Sequence, residues 1–201
     1  MTTRESAPLS KTALGPQTLL YPMPVLIIGV TVDGKPNFMT AAWGGIANSD
    51  PPMVSVGIRH QRHTMVGVRR NMALSVNIPS AAQVREADFC GIVTGTKEDK
   101  AQVCRFNVFH GKLADAPLIS QCPVNLECKV VHILDLGSHA LVVAQILETH
   151  VSNDCLTDGK PDVTKINPIA FCSSTRDYRT LGQSVGKAFS IGKELKTLQT
   201  S

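Results

Sequence analysis

The sequence predicts a mainly β protein, a closed or nearly closed antiparallel β-barrel with a few short helices. Three observations support this fold class: about seven stretches have the composition or alternation of strands, the segments between them are rich in Gly, Pro, Asp and Asn, and the helical stretches are short. Long helices do not alternate with the strands, so a doubly wound nucleotide-binding fold is not expected.

The first half of the chain contains most of the predicted strands. Residues 1–18 are polar and mixed, and we interpret them as an arm that is disordered or reaches a neighbouring subunit. A strand is predicted at Val25–Val32, an uninterrupted β-branched run that ends at Asp33–Asn37, which has the composition of a turn. Further strands are expected at Phe38–Trp43, Met53–Ile58 and Ala73–Ile78.

Two short helices are expected between these strands and after them. The first, Thr64–Asn71, begins at a threonine whose hydroxyl could cap it. The second, Ser80–Phe89, begins with Ser80 followed three residues later by Gln83, which is the signature of a capping box.

The second half has the clearest alternation. In Val124–Val130 the apolar residues alternate with Asn125, Glu127 and Lys129, which predicts a strand with one buried face and one face in water. His139–Leu147 follows after a short connection and is expected to pair with it as a hairpin.

The end of the chain is less regular. A turn is expected at Thr157–Lys160, followed by a short, edge-like strand at Pro168–Phe171. The tail, residues 178–201, mixes Gly with helix formers. No linker divides the chain, so we expect a single domain over residues 1–201.

Composition bounds the class of protein. The chain has 201 residues, 43% apolar and 18% charged, and its 20 Lys and Arg against 16 Asp and Glu give a formal net charge of +4. A folded chain of this length buries roughly 70% of the surface exposed when it is unfolded, so it needs no disulfide or metal for stability. The charge suits a phosphate-bearing cofactor and is too small for duplex nucleic acid.

Targeting signals are not evident. The longest apolar run, Pro24–Val32, is far shorter than the ~20 residues of a membrane span, and the N-terminal sequence MTTRESAPLSKTALG lacks the apolar core of a signal peptide. We therefore expect a cytoplasmic protein with no membrane partner. The six cysteines include no Cys-x-x-Cys pair, and in the cytosol they are expected to be reduced and mostly buried.

The common catalytic and metal-binding motifs do not occur. The sequence has no G-x-G-x-x-G after a strand, no H-E-x-x-H and no G-x-S-x-G, and the cysteine spacings match no zinc or iron–sulfur pattern. No metal site and no catalytic residue are therefore assigned.

Three polar patches stand out instead. Asn37–Gly45 has small residues and glycines that let a flat ligand approach the backbone, although a core strand with a packed Trp is the more common explanation for such a patch alone. Arg59–Thr64 places Arg62 and a hydroxyl at the start of a helix, an arrangement that suits phosphate. Cys90–Lys100 is a glycine-spaced loop whose lysine could add a second cation.

These patches belong to a longer series of motifs. In chain order the motifs are Tyr21-Pro22-Met23-Pro24-Val25, Gly34-Lys35-Pro36-Asn37-Phe38-Met39-Thr40-Ala41-Ala42-Trp43, Asp50-Pro51-Pro52, Arg62-His63-Thr64, Val76-Asn77-Ile78-Pro79-Ser80, Thr94-Gly95 with Asp99-Lys100, Gly137-Ser138-His139, and Tyr178 with Leu181-Gly182. Taken in this order over about residues 20–190, the chain resembles the flavin reductase-like family of FMN-binding split barrels, and most closely its flavoredoxin branch.

The resemblance implies an antiparallel split β-barrel that forms a homodimer and holds FMN near the subunit interface. It implies that Arg62, Thr64 and Lys100 bind the phosphate, which agrees with the need of a dianion for about two cations plus further donors. The other positions that it implies at the cofactor are Asn37, Met39, Thr40, Ala41, Ala42, Trp43, Asn77, Cys90, Gly91, His139 and Phe171. As a hypothesis, His139 donates near N1 of the flavin and raises its potential.

The implied activity is electron transfer through bound FMN. The electron donor is left open between NADH, NADPH and a redox protein partner, because nicotinamide in such barrels would stack on the flavin without a dinucleotide motif.

Two other classes are alternatives. One is a small basic β-barrel that binds nucleic acid through Arg59, Arg62, Arg69 and Arg70, against which aromatic residues make up only 4% of the chain. The other is a thiol-based redox protein, for which Cys122 and Cys128 are the closest pair in sequence.

Overall fold

The computed structural model of the chain describes residues 10–193 and residue 195. Residues 1–9 of the expected arm, and residues 194 and 196–201 of the expected tail, lie outside the described residues. The described part of the arm, residues 10–18, is exposed and contains no helix or strand.

Strands make up most of the regular structure. In chain order they are β1 (Met23–Pro24), β2 (Leu26–Val32), β3 (Lys35–Ala41), β4 (Gly44–Ser49), β5 (Pro52–Arg59), β6 (Ala73–Ile78), β7 (Val108–Phe109), β8 (Leu118–Ile119), β9 (Val124–Asp135), β10 (His139–Val151), β11 (Leu156–Thr157), β12 (Lys160–Pro161), β13 (Ile169–Cys172) and β14 (Asp177–Thr180). The α-helices are α1 (Thr64–Asn71), α2 (Val84–Ile92), α3 (Lys100–Val103) and α4 (Val163–Ile166), and short 3₁₀ turns occur at Ala81–Gln83, Asn153–Cys155 and Ile191–Lys193.

A seven-stranded antiparallel sheet dominates the fold. Its strand order is β3-β2-β6-β9-β10-β5-β4, and a separate three-stranded sheet has the order β1-β13-β14. The prediction of a mainly β, antiparallel split barrel with a few short helices is therefore confirmed. The barrel is not closed, because the end strands β3 and β4 are not hydrogen-bonded to each other.

Two hydrophobic clusters cover opposite faces of this sheet. One, which includes Ile28, Val56 and Leu74, fills the inside of the curved sheet. The other lies between the sheet, α2 and the three-stranded sheet, and includes Ile27 and Phe38. Because β2 contributes side chains to both clusters, its sequence is an uninterrupted apolar run instead of an alternating one.

The first hairpin is tighter than its sequence predicts. Only Asp33 and Gly34 form the turn, with φ of 48° and 75°. Positive φ at both central residues is typical of the type I′ turn, whose twist matches that of the flanking strands. Lys35, Pro36 and Asn37 therefore belong to β3 and not to the turn.

The prediction that one face of β9 lies in water is wrong for the first half of the strand. Asn125 and Glu127 are buried, and only Lys129 of the three alternating polar residues is exposed. The polar face is covered because the segment that carries β8 packs over it. Asn125 donates to the backbone oxygen of Ile119, and Glu127 accepts from the backbone nitrogen of Leu113. The hairpin of β9 with β10 is confirmed.

Three local predictions need correction and one is confirmed. The N-cap of α1 is His63 and not Thr64, and Trp43 lies just beyond β3. β13 is the central strand of its sheet and not an edge strand. The capping box is present as predicted, since the Ser80 backbone nitrogen donates to Gln83 Oε1 at 2.8 Å.

Candidate functional site

A cavity of about 460 Å³ opens where the edge strand β3 faces α2 and the three-stranded sheet; we call it the main cavity. Thr40, Ala41 and Ala42 line one wall, Gly91 lies on α2, and Phe171 comes from β13. Because β3 is hydrogen-bonded to β2 on one side only, its outward backbone groups are available to a ligand. The volume falls within the range of small-molecule sites.

Thr40 is held by the neighbouring helix. Its hydroxyl donates to the backbone oxygen of Ala87 in α2, so toward a ligand this oxygen can only accept. Gly91 lies close to Thr40. A Cβ added at Gly91 would be 3.5 Å from the Thr40 Cβ, which is an ordinary van der Waals distance.

A narrow inner cavity of about 10 Å³ lies beside the main cavity, and the Arg62 side chain lines both. Its walls include Asn37, Thr64, Gly95 and Lys100. A Cβ on Gly95 would overlap the Asn37 side chain, so this close approach of the loop to β3 requires glycine. The inner cavity therefore brings together groups from β3, the start of α1 and the start of α3.

Lys100 is a buried cation with spare hydrogen-bonding capacity. Its side chain is only 4% exposed, and Nζ donates to the backbone oxygens of Phe38 and Cys90, both at 2.9 Å. An ammonium group has three N–H donors, so one remains. Lys100 forms no ion pair within the described residues. Burial, together with the positive charge of Arg62, lowers the pKa of Lys100, and a bound anion would favour its charged form.

Thr64 and Arg62 complete the polar lining. Asn37 Nδ2 donates to Thr64 Oγ1 at 2.9 Å, which leaves the Thr64 hydroxyl hydrogen free to donate to a ligand. At the start of α1, the Met65 N–H donates to the Arg62 backbone oxygen at 2.9 Å and the Val66 N–H to that of His63 at 3.1 Å, so of the first three N–H groups of α1 only that of Thr64 has no partner within the described residues. Across residues 10–193, the Arg62 guanidinium has no carboxylate within 4.0 Å.

Trp43 and His139 lie on another side of β3. Their rings are stacked, with centroids 4.6 Å apart and an interplanar angle of 29°. Trp43 is 43% exposed and lines a second, largely apolar cavity of about 480 Å³ together with arm residues Gln17–Leu20. Burial, and after it the positive charge of Arg59, lowers the pKa of His139, which favours the neutral imidazole.

Two of the sequence-predicted residues are embedded in the protein. Asn77 is fully buried, donating to the Ile27 backbone oxygen and accepting from Asn125 and from the Ile119 backbone nitrogen. The Cys90 side chain is also fully buried, and burial raises the pKa of its thiol. Cys90 contributes to the site only through its backbone oxygen, which Lys100 binds.

The structure thus divides the predicted site residues into groups. The inner cavity is lined by Asn37, Met39, Arg62, Thr64 and Lys100. The main cavity is lined by Thr40, Ala41, Ala42, Arg62, Gly91 and Phe171. Trp43 and His139 form the stacked pair beside the arm, while Asn77 and Cys90 line none of these cavities.

Sequence reasoning did not assign the polar residues of the opposite wall to the site, which are Asp88, Ser173, Arg176 and Tyr178. Of these only Tyr178 belongs to a motif of the resemblance, and the other three gave no local signal.

Alternative chemistries have little support in the described part of the chain. Its cysteines are all free, and burial raises the pKa of Cys122 and of Cys128 to about 12, which opposes thiolate reactivity. No group of three His, Cys, Asp or Glu side chains among these residues could hold a metal ion. None of the helices described is long and apolar enough to cross a membrane.

The chain is similar to known proteins in both sequence and structure. The family model described as "Flavin reductase like domain" matches residues 18–179. The crystal structure of a flavoredoxin from Methanosarcina acetivorans is 36% identical, with a TM-score of 0.89, and the alignment covers 93% of this chain and 100% of that one. Flavoredoxin of Desulfovibrio vulgaris is 36% identical with a TM-score of 0.86, over 91% of this chain and 100% of that one. An uncharacterized protein of Archaeoglobus fulgidus is 34% identical over 145 residues, which are 72% of this chain and 80% of that protein.

Proposed function

The chain belongs to the flavin reductase-like family, and from this premise we propose that it is a flavoprotein that binds FMN and transfers electrons through it. The observation that carries the proposal is the convergence of Arg62, Lys100 and Thr64 on the inner cavity with no carboxylate paired to either cation within residues 10–193. Such a set of donors is incomplete without an anion.

The residues present fit the phosphate of FMN. Lys100 and Arg62 would supply two cations to one dianion, and the hydroxyl and backbone N–H of Thr64 would supply further donors. Bound FMN supplies the redox chemistry, accepting and releasing one or two electrons, and the protein binds, orients and tunes it.

The ring would be held along the main cavity. The outward backbone of β3 offers donors and acceptors, while Gly91 and Phe171 form the facing surface. The printed name flavoredoxin of two relatives at 36% identity supports a flavin ligand of this kind.

As part of the same proposal, residues 1–201 form one such domain and two copies make a homodimer. Exposed apolar side chains beside the arm, including Leu20 (77% exposed) and Ile46 (73% exposed), support a covered face there. The free cysteines support a cytoplasmic protein. NADH, NADPH or a redox protein is the electron donor.

The absorption spectrum of the purified protein tests the cofactor. We expect the two visible bands of bound flavin, and chromatography of the released cofactor should identify FMN and not FAD.

Arg62→Ala should weaken FMN binding by about tenfold, as expected for loss of one charge-assisted contact. Arg70→Ala is the control, because Arg70 pairs with Asp33 at the surface at 3.0 Å. A colourless protein that fails to take up added FMN would contradict the proposal.

A further inference from the structure

The hairpin of β13 and β14 forms a wall of the main cavity that the phosphate and ring assignments leave unused. Ser173, Arg176 and Tyr178 of this hairpin line the cavity together with Asp88 of α2. All four side chains are polar or charged, and none of them lines the inner cavity assigned to the phosphate.

Arg176 is the unpaired cation of this wall. The other hairpin arginine, Arg179, donates to Asp177 Oδ2 at 3.0 Å, and its pKa is raised by that contact. Within residues 10–193, Arg176 has no carboxylate within 4.0 Å, and its guanidinium has no hydrogen-bond partner. The hairpin therefore presents one satisfied arginine and one that is free to bind.

The turn that carries Arg176 is fixed in place. The Tyr21 hydroxyl donates to Ser174 Oγ at 2.8 Å and accepts from the Ser174 backbone nitrogen at 3.2 Å. Arg176 donates its backbone N–H to the Cys172 oxygen at 2.7 Å and has a φ of 56°. The left-handed region costs a non-glycine residue of order 1 kcal/mol, so this position is held by its surroundings.

Asp88, the carboxylate that lines the main cavity, is already hydrogen-bonded. Tyr178 donates its hydroxyl to Asp88 Oδ1 at 2.8 Å, and burial, followed by this contact, raises the pKa of Tyr178 to about 12. Tyr178 therefore remains a protonated donor near neutral pH. Asp88 and Arg176 line the same cavity but form no ion pair.

We propose that Arg176 forms a second anion subsite in the main cavity. This subsite binds a phosphate group of a nicotinamide dinucleotide, while Arg62 and Lys100 bind the phosphate of the flavin. This inference rests on the proposed function. FMN carries one phosphate group, for which Arg62, Lys100 and Thr64 provide the donors, so the cation on the hairpin wall is left for a second phosphate-bearing ligand. Arg176 is exposed to solvent but lines the same cavity as Thr40 and Phe171, and a position in a cavity favours a small molecule over a protein surface.

Binding of oxidised nucleotides to the FMN-loaded protein tests the subsite without turnover. Calorimetric titration with NADP⁺ and with NAD⁺ should give a dissociation constant about tenfold weaker for Arg176→Ala than for the parent chain, the loss expected for one charge-assisted contact. Arg176→Lys should keep part of the affinity, and added salt should weaken binding to the parent chain more than to Arg176→Ala.

The matched control is Arg179→Ala on the same hairpin, whose nucleotide affinity should stay within about twofold of the parent chain because this arginine is already paired and does not line the main cavity. FMN affinity, measured by quenching of flavin fluorescence, should be unchanged in every hairpin variant.

Each alternative outcome is distinct. Equal nucleotide affinity in Arg176→Ala and the parent chain overturns the subsite, and so does a loss of FMN affinity in Arg176→Ala, which would make Arg176 a flavin ligand. A parent chain that binds FMN but neither nucleotide also overturns it, in favour of an acidic protein partner, and leaves the proposed function standing. A parent chain that binds no FMN removes both proposals.

Discussion

Lys100 and Glu127 are both charged residues buried in this protein, yet their surroundings differ. Glu127 is fully buried, and its carboxylate accepts from His150 Nε2 at 2.6 Å and from the Leu113 backbone nitrogen at 3.0 Å. Lys100 donates only to two backbone oxygens and keeps one N–H toward the inner cavity, where Arg62 adds a second positive charge.

The difference separates a structural charge from a binding charge. Burial alone would raise the pKa of Glu127, but the hydrogen bonds from His150 and from the Leu113 and Lys112 backbone bring it below its ordinary value. The protein therefore stabilises the Glu127 carboxylate by itself. Burial lowers the pKa of Lys100, and no carboxylate among residues 10–193 pairs with it, so its charge is best stabilised by an anion from outside the chain.

The largest expected effect is on stability, at the structural charge. Glu127→Ala should lower the free energy of unfolding by about 1–3 kcal/mol, because it leaves the Leu113 N–H and His150 without their buried acceptor. Urea denaturation measures this. FMN affinity of the folded variant should change by less than about twofold if the two charges act independently.

Glu148→Ala is the matched control for this experiment. Glu148 pairs with Lys112 at 2.8 Å in the same region, but both side chains are largely exposed, so its removal should destabilise the protein much less than Glu127→Ala does. Equal destabilisation by both variants would contradict the distinction between buried and exposed pairs.

The next largest effect is expected on FMN affinity, at Lys100. Lys100→Met should weaken FMN binding by about 100-fold, through loss of a buried charge-assisted contact to phosphate, while Lys97→Met on the exposed neighbouring loop should stay within about twofold. Fluorescence titration with FMN compares them. Unchanged FMN affinity in Lys100→Met would show that this cation is structural, like Glu127, and would remove the distinction.

A fall in pH should reduce the stability that Glu127 contributes to the folded protein. Since its pKa is lower in the folded state than the usual value of about 4.3, the stability it supplies is complete above that pH and is lost as the pH falls through the folded-state value. The gap in stability between the parent chain and Glu127→Ala should therefore narrow as the pH falls from 7 to 3. A gap of constant size over this range would exclude an ionised Glu127 as its source.

The smallest effect is expected at the half-exposed His139. If the imidazole donates to the flavin, His139→Ala should lower the midpoint potential by about 20 mV, the equivalent of one hydrogen bond of roughly 1 kcal/mol in a two-electron couple. Spectroelectrochemistry of the FMN-loaded variant measures it. If both FMN affinity and midpoint potential are unchanged, the tuning role is wrong.

Much of the candidate site followed from the sequence. Arg62, Thr64 and Lys100 were predicted as one group although Lys100 is distant in the chain, and the structure brings them to one cavity. Arg176 and Asp88 were not predicted, because their place in the main cavity depends on how the three-stranded sheet packs on α2, and neither has a sequence neighbour in the phosphate group. Asn77 was expected at the cofactor, but a hydroxyl-and-amide network with Ser75 and Asn125 encloses it.

The fold was predicted well where local chemistry decides it and poorly where distant segments do. The capping box at Ser80 and the hairpin of β9 with β10 need only neighbouring residues. The burial of Asn125 and Glu127 depends on the segment of residues 107–121 packing over them, which the alternation within β9 does not reveal. The prediction that Thr64 caps α1 was wrong, because the Thr64 hydroxyl accepts a hydrogen bond from Asn37 of β3, which is distant in the sequence.

The contact of Tyr21 with Ser174 joins two parts of the chain that are far apart in sequence. Tyr21 lies at the end of the arm, and Ser174 belongs to the turn that borders the main cavity. Proteolytic trimming through Tyr21 would thus loosen the cavity entrance without removing any residue that lines it. We therefore expect the segment that ends at Tyr21 to help hold the turn that borders the main cavity.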